Sequence, residues 1–118
     1  MRQLIYIQVH RGHFIAKNLG TGKTVRRECA ALAHPRTVMG DFEAIAAAFK
    51  AALKELLPTI NLLKPKGLIH LIPQLEGGYT NVELRAFKEA GETAGINFAF
   101  LSTLERPHTD TELLEVLR

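Results

Sequence analysis

Residues 77–101, GGYTNVELRAFKEAGETAGINFAFL, decide the architecture of this chain. The run before them, Lys66 to Pro73 with its apolar centre at Gly67 to Ile72, reads as a strand that enters a glycine turn at Gly77-Gly78. Thr80 followed by Glu83 is a T-x-x-E capping box. The Thr hydroxyl accepts from the Glu83 N–H while the Glu carboxylate reaches back to the N–H of Thr80. The spacing predicts a helix from about Asn81 to Ala94, closed by Gly95 as a left-handed C-cap. Ile96 to Leu101 is the next strand. Strand, helix and strand make a βαβ unit, and a right-handed crossover sets its two strands parallel.

Working back to the N-terminus, Leu4 to Val9 is an apolar β-prone run, Arg11-Gly12 a tight turn, and Phe14-Ile15-Ala16 a second strand. Asn18 to Lys23 holds two glycines that suit a hairpin loop, and Thr24 to Ala33 is a third run. Strands this close can only form an antiparallel meander, because a parallel return needs a long crossover. His34-Pro35-Arg36 breaks the pattern. Asp41 then caps a helix from about Phe42 to Leu57, stopped by Pro58, with Phe42, Ile45, Ala46, Phe49, Leu53 and Leu56 on one face. Thr109-Asp110 opens a short last helix carrying Leu113, Leu114 and Leu117. The order βββαβαβα describes a mixed α/β sheet of the ribonuclease H-like or actin-like subdomain type. Its expected strand order is 3-2-1-4-5, with strand 1 central and parallel to strand 4, over a single domain spanning 1–118. The expected core is Ile5, Ile7, Phe42, Phe49, Leu53, Ile69, Leu71, Leu84, Phe87 and Phe98.

The 118 residues suffice for one core. The single cysteine, Cys29, reads as a small core or sheet residue, and no apolar run has signal or transmembrane length. The chain therefore reads as cytoplasmic, with a reduced thiol. Its charge is uneven. Residues 1–40 hold seven Lys/Arg against Glu28, a balance of +6, while the rest carries −3 and brings the total to +3. Such a third could attract phosphates or an acidic partner, or it could be a solvated hairpin whose Lys and Arg guard exposed strands.

Several stretches resemble the first subdomain of the bacterial actin-like ATPases, the MreB and FtsA group. TVRRECAALA (24–33) resembles their third strand, and Gly40-Asp41-Phe42-Glu43 the entry to their first helix. Thr80, Val82, Glu83, Arg85, Ala86 and Glu89, with Ala94-Gly95, resemble their second helix and its exit. Phe100-Leu101 followed by Glu105 and Pro107 resembles a strand that ends in Glu-Pro, at an altered spacing. The likeness runs over residues 3–107. Short enterobacterial proteins of the YjaA type are similar around Tyr6-Ile7-Gln8, Asp41-Phe42 and Glu76-Gly77-Gly78, which implies a stress-associated bacterial protein. The departure matters more. The ATPases carry a D-x-G-T turn after strand 1 for Mg²⁺ and phosphate, and here that turn falls on Gln8-Val9-His10-Arg11. The resemblance therefore implies the fold without the nucleotide chemistry.

Gly20-Thr21-Gly22-Lys23-Thr24 ends like a P-loop, but the first glycine of G-x-x-x-x-G-K-[ST] would fall on Lys17, and strand-like residues follow it. A two-metal nuclease would need a carboxylate in strand 1, where Gln8 stands, and in strand 4, where His70 stands. His10 and His13 flank a turn and His34, His70 and His108 are scattered; His10 and His70 could meet if strands 1 and 4 are neighbours, as this fold has them, but two imidazoles without a Cys or carboxylate do not make a metal site. Ser102 and Thr103 have no evident base beside them. Phe14 is the lone aromatic among the basic residues from Arg11 to Arg36, so nucleic acid would find phosphate attraction but no stacking platform.

The residues thus predict a non-enzymatic module with no catalytic set, no cofactor and no metal, binding another protein. The candidate contact residues are Arg11, Lys23, Arg26, Arg27 and Tyr79, the last taken as the exposed aromatic of the strand 4–helix 2 loop. The alternative is an immunity or antitoxin protein using an acidic face made of Glu83, Glu89, Glu92, Glu112 and Glu115. Weak binding of nucleic acid or a membrane surface by the basic hairpins ranks below both.

Overall fold

The computed structural model describes residues 2–33, 40–58 and 63–117, with every side chain among them except that of Phe98. Strands β1 (Leu4–His10), β2 (His13–Asn18) and β3 (Thr24–Glu28) are followed by a 3₁₀ turn at Ala30–Leu32. Helix α1 (Phe42–Leu56), strand β4 (Lys66–Leu71), helix α2 (Asn81–Ala94), strand β5 (Phe98–Ser102) and helix α3 (Asp110–Leu117) complete the order. The sheet runs β3-β2-β1-β4-β5, with β1 antiparallel to β2 and parallel to β4, as the sequence predicts. The break expected at 34–36 and the burial expected of Phe98 lie outside the described residues.

Alternation along the strands builds two unequal faces. Ile5, Ile7, Val9, Phe14, Ala16, Ile69 and Leu71 turn to one side and meet Ile45, Phe49, Leu53, Phe87 and Ala90 of α1 and α2. Phe14 meets Phe49 edge to face at 5.0 Å, a geometry that suits the ring quadrupoles. Between these residues Tyr6 and Leu68 point the other way and pack on Leu113 and Leu117 of α3.

Local signals place the helices. Asp41 accepts from the Ala44 N–H and caps α1. Thr80 and Glu83 close their reciprocal box, with Glu83 N–H donating to Thr80 Oγ1 at 3.1 Å and Thr80 N–H to Glu83 Oε1 at 2.9 Å. Helix α2 lies low on the sheet because position 91 is glycine: a Cβ there would stand 2.6 Å from the Ile69 Cδ1.

Five expectations need correction. The third strand ends at Glu28, not Ala33: Cys29 N–H donates to the Gly12 carbonyl at 2.8 Å, and a 3₁₀ turn then drives Leu32 into the core. The fifth strand begins at Phe98, because Ile96 is spent on roofing Gly67 and its N–H on the Gly91 carbonyl. Phe42 and Leu84 are half-buried at the first turns of their helices. Tyr79 is half-buried, not exposed. The acidic face does not exist as one surface, since Glu83, Glu89 and Glu92 ride on α2 and Glu112 and Glu115 on α3, across the sheet.

Candidate interaction surface

The β1–β2 turn and the β4–α2 loop meet at the carboxyl ends of the central parallel strands. Arg11-Gly12 makes the turn, with Gly12 at φ +78°, a backbone conformation that glycine adopts without a Cβ penalty. His10 and His13 pair across it and stack, ring centroids 4.6 Å apart and planes 3° from parallel. Burial pushes the His10 imidazole below its usual pKa, and the nearby His13 and Arg26 add to the effect. Arg11 is exposed and lies near enough to Tyr79 for its charge to favour the phenolate, but burial dominates and pushes the phenol up to about 12. The Tyr79 hydroxyl donates to the Pro73 carbonyl at 2.6 Å. Tyr79 therefore closes its own loop and packs in part against the core.

The three basic residues of the second hairpin divide between the faces of the sheet. Lys23 donates to the Glu55 carbonyl at 3.0 Å, in the last turn of α1, where a cation complements the helix dipole. Arg27 pairs with the Glu55 carboxylate on the same side. Arg26, one residue earlier on β3, points to the opposite side and pairs with Glu28 at 3.0 Å. Strand alternation brings Lys23 and Arg27 together and separates Arg26 from both. The Gly20–Thr24 segment joins two antiparallel strands, so it is a hairpin loop. Asn18, fully buried, holds it: Oδ1 accepts from the Gly20 N–H and Nδ2 donates to the Leu56 carbonyl.

Sequence reasoning missed a buried polar network on the α3 side. The chain from β5 to α3, residues 103–109, crosses the sheet as a strap, and His70, Tyr6, Ser102 and His108 fasten it. His70 Nε2 lies 2.8 Å from the Leu104 carbonyl, which can only accept, so this nitrogen carries the proton. His70 Nδ1 then accepts from the Tyr6 hydroxyl at 2.6 Å, and the Tyr6 oxygen accepts from the His108 backbone N–H at 3.1 Å. Both His70 nitrogens and the Tyr6 oxygen are satisfied with His70 neutral. Burial holds its pKa below the usual value, helped by the charges of His108, His10 and Arg106 and opposed by the Leu104 hydrogen bond.

The expectation that Ser102 lacks a base is overturned: its Oγ lies 2.7 Å from His108 Nε2. Beyond the ring, His108 Nδ1 has no hydrogen-bond partner among the described residues and faces Glu112 Oε2 at 3.9 Å. Glu112 is committed elsewhere. Arg106 grips it through two hydrogen bonds and holds its carboxyl down at about 2, and the Thr109 N–H donates to it at 3.0 Å in a second T-x-x-E capping box. Hydroxyl, imidazole and carboxylate thus stand in a row whose acid also serves a cap and an ion pair, and the Ser102–His108 contact ties the strap to β5. His10 and His70 do not pair, although β1 and β4 are neighbours: each ring stacks or bonds within its own set.

Among the described residues, no three His, Cys, Asp or Glu side chains are placed to hold a metal ion, and no helix is long and apolar enough to cross a membrane. A half-open groove of about 510 Å³ lies at the far end of the sheet, floored by Leu4, Leu19, Leu114 and Leu117.

No family profile matches the chain, and no curated protein is similar to it in sequence. Among solved structures, MreB 5 of Spiroplasma citri, bound to AMPPNP, superposes with a TM-score of 0.58 at 14% identity. The match covers 87% of this chain but 39% of that one, so the chain spans well under half the length of its structural neighbour. Sheet order, helix placement and this superposition agree: the chain has the fold of an actin-like, ribonuclease H-like subdomain.

Proposed function

We propose that this protein is a non-catalytic binding module, an actin-like subdomain that acts by engaging another protein. The observation that carries the reading is the β1–β2 turn. It is built from Arg11-Gly12 between two stacked imidazoles, and the residue opposite His70 on β1 is Gln8. A turn of this composition offers no carboxylate to Mg²⁺. To this reading we add a bacterial, cytoplasmic, stress-associated setting, which rests only on the resemblance read in the sequence around Tyr6, Asp41 and Glu76.

The immunity reading needs a continuous acidic surface. Its glutamates are divided across the sheet, with Glu83 closed into its cap and Glu112 into the Arg106 fork. The test of the binding-module reading is a calorimetric titration with Mg-ATP. We expect no saturable heat at millimolar nucleotide. A one-to-one site, or turnover of the nucleotide, would overturn the proposal and return the β1–β2 turn to phosphate binding.

A further inference from the structure

The two edges of the sheet are built on opposite principles. On one, β3 reads TVRRE, and its charged side chains sit in ion pairs: Arg26 with Glu28, Arg27 with Glu55. Charge on an edge strand opposes pairing with another chain. On the other edge, β5 reads FAFLS, with no charged residue, no proline and no glycine. It pairs with β4 alone, and among the described residues its outer side makes no backbone hydrogen bond. Phe100, at the strand's midpoint, is 39% exposed, and Leu104, just past its end, is 47% exposed. The polar residue of the strand, Ser102, spends its hydroxyl on His108. Nothing that guards β3 guards β5.

We propose that β5 is a self-association edge and that its occupant is a second copy of this chain. Two β5 strands pair antiparallel about a two-fold axis through Phe100. This sets Phe100 opposite Phe100, Ala99 opposite Leu101 and Phe98 opposite Ser102, and it joins two five-stranded sheets into one. The strand suits its own copy for two reasons. It is neutral, so an antiparallel pair brings no like charges together, and its central residue is an aromatic, which pairs well with itself across strands. The contact is isologous and closes at two. The edges left outside are the two charged β3 strands, which resist further addition. The inference does not depend on the binding-module reading, because neither the Mg-ATP titration nor the basic residues touch β5.

Light scattering coupled to size exclusion, over a series from micromolar to millimolar chain, tests it. We expect a concentration-dependent approach to twice the 13.1 kDa chain mass. Phe100→Lys should return the protein to a single chain with its circular dichroism unchanged. In case Phe100→Lys does not fold, a second variant reads the register directly. In a Cys29→Ala background, Phe100→Cys should cross-link rapidly to its own copy under mild oxidation, while Arg26→Cys on the other edge should not. A wild-type protein that stays at one chain's mass throughout overturns the proposal. So does a folded Phe100→Lys variant that remains dimeric, or a Phe100→Cys variant that cross-links no faster than Arg26→Cys.

Discussion

His70 shows how much one side chain can be asked to hold. It sits fully buried on β4 and is used at both nitrogens, one for Tyr6 on β1 and one for Leu104 on the strap. Tyr6→Phe removes the donor to Nδ1 and leaves a buried acceptor without a partner, an omission that costs about 1–3 kcal/mol. Chemical denaturation should read that loss. The same ring predicts a pH dependence. Burial keeps folded His70 below its usual pKa, whereas the unfolded ring takes its proton near about 6.5. Between those two values the unfolded state binds more protons, so stability falls as pH falls below about 6.5 and is flat above it. Once the pH is below the folded pKa, the loss is complete. His70→Gln, which can still donate and accept, should remove most of this slope. His10, lowered for similar reasons, accounts for the remainder. An undiminished slope in His70→Gln would mean that the strap is not held through this ring.

None of that network was legible in the chain. Tyr6 lies 64 residues from His70 and 102 from His108, and no local spacing links them. The parallel pairing of β1 with β4 places Tyr6 beside Leu68, two pairs short of the Gln8–His70 pair, and no local pattern says that the two side chains meet. The half-burial of Tyr79 and the tether of Lys23 escape the sequence for a related reason. Their sequence neighbourhoods, a Gly-Gly turn and a glycine loop, say that they are in loops, but a backbone carbonyl elsewhere captures each side chain.

At the scale of elements the sequence speaks more clearly, because caps and periodicity are local. The Thr80–Glu83 box and the Asp41 cap appear where the spacing puts them, and α2 has the bounds expected of it. The box at Thr109–Glu112 has the same signature and is legible in hindsight from residue types alone. Phe49 tests whether α1 has been oriented correctly. It is fully buried against Phe14, so Phe49→Ala should cost about 3–5 kcal/mol, and a loss under about 1 kcal/mol would contradict the packing described here.

Gly91 tests how closely α2 approaches the sheet. Alanine there would gain helix propensity of about 1 kcal/mol, but its methyl group would stand 2.6 Å from Ile69 Cδ1, the tip of a fully buried side chain that would have to shift. Overpacking of this kind costs about 1–3 kcal/mol, so Gly91→Ala should be destabilising on balance. Ile69→Val deletes the offending Cδ1. Alone it should cost about 0.5–1.5 kcal/mol; combined with Gly91→Ala it should cost nothing further or restore stability. Additive losses in that double-mutant cycle would show that the two residues do not meet.

For the molecule as a whole, the charge asymmetry becomes a question of which side faces a partner. A +6 N-terminal third looks like one surface when written as a line, but the sheet divides it. Lys23 and Arg27 are bound to the end of α1 through Glu55, Lys23 at its backbone carbonyl and Arg27 at its carboxylate. Arg26 lies on the other face, beside the stacked His10 and His13, and its pairing with Glu28 is exposed and two residues along the same strand. A partner drawn by positive charge should therefore dock on the Arg26 side. Arg26→Glu should abolish recovery of that partner, and Lys23→Gln with Arg27→Gln should leave it nearly intact. Neither change should move the melting temperature by more than a few degrees, since exposed pairs contribute about 0–1 kcal/mol each. Recovery should also fall steeply as salt rises, because screening shortens to about 10 Å at 0.1 M. If recovery survives Arg26→Glu and high salt together, the basic third is a solvated edge whose charges keep β3 from pairing. The partner surface must then be sought among the loops at the carboxyl ends of β1 and β4.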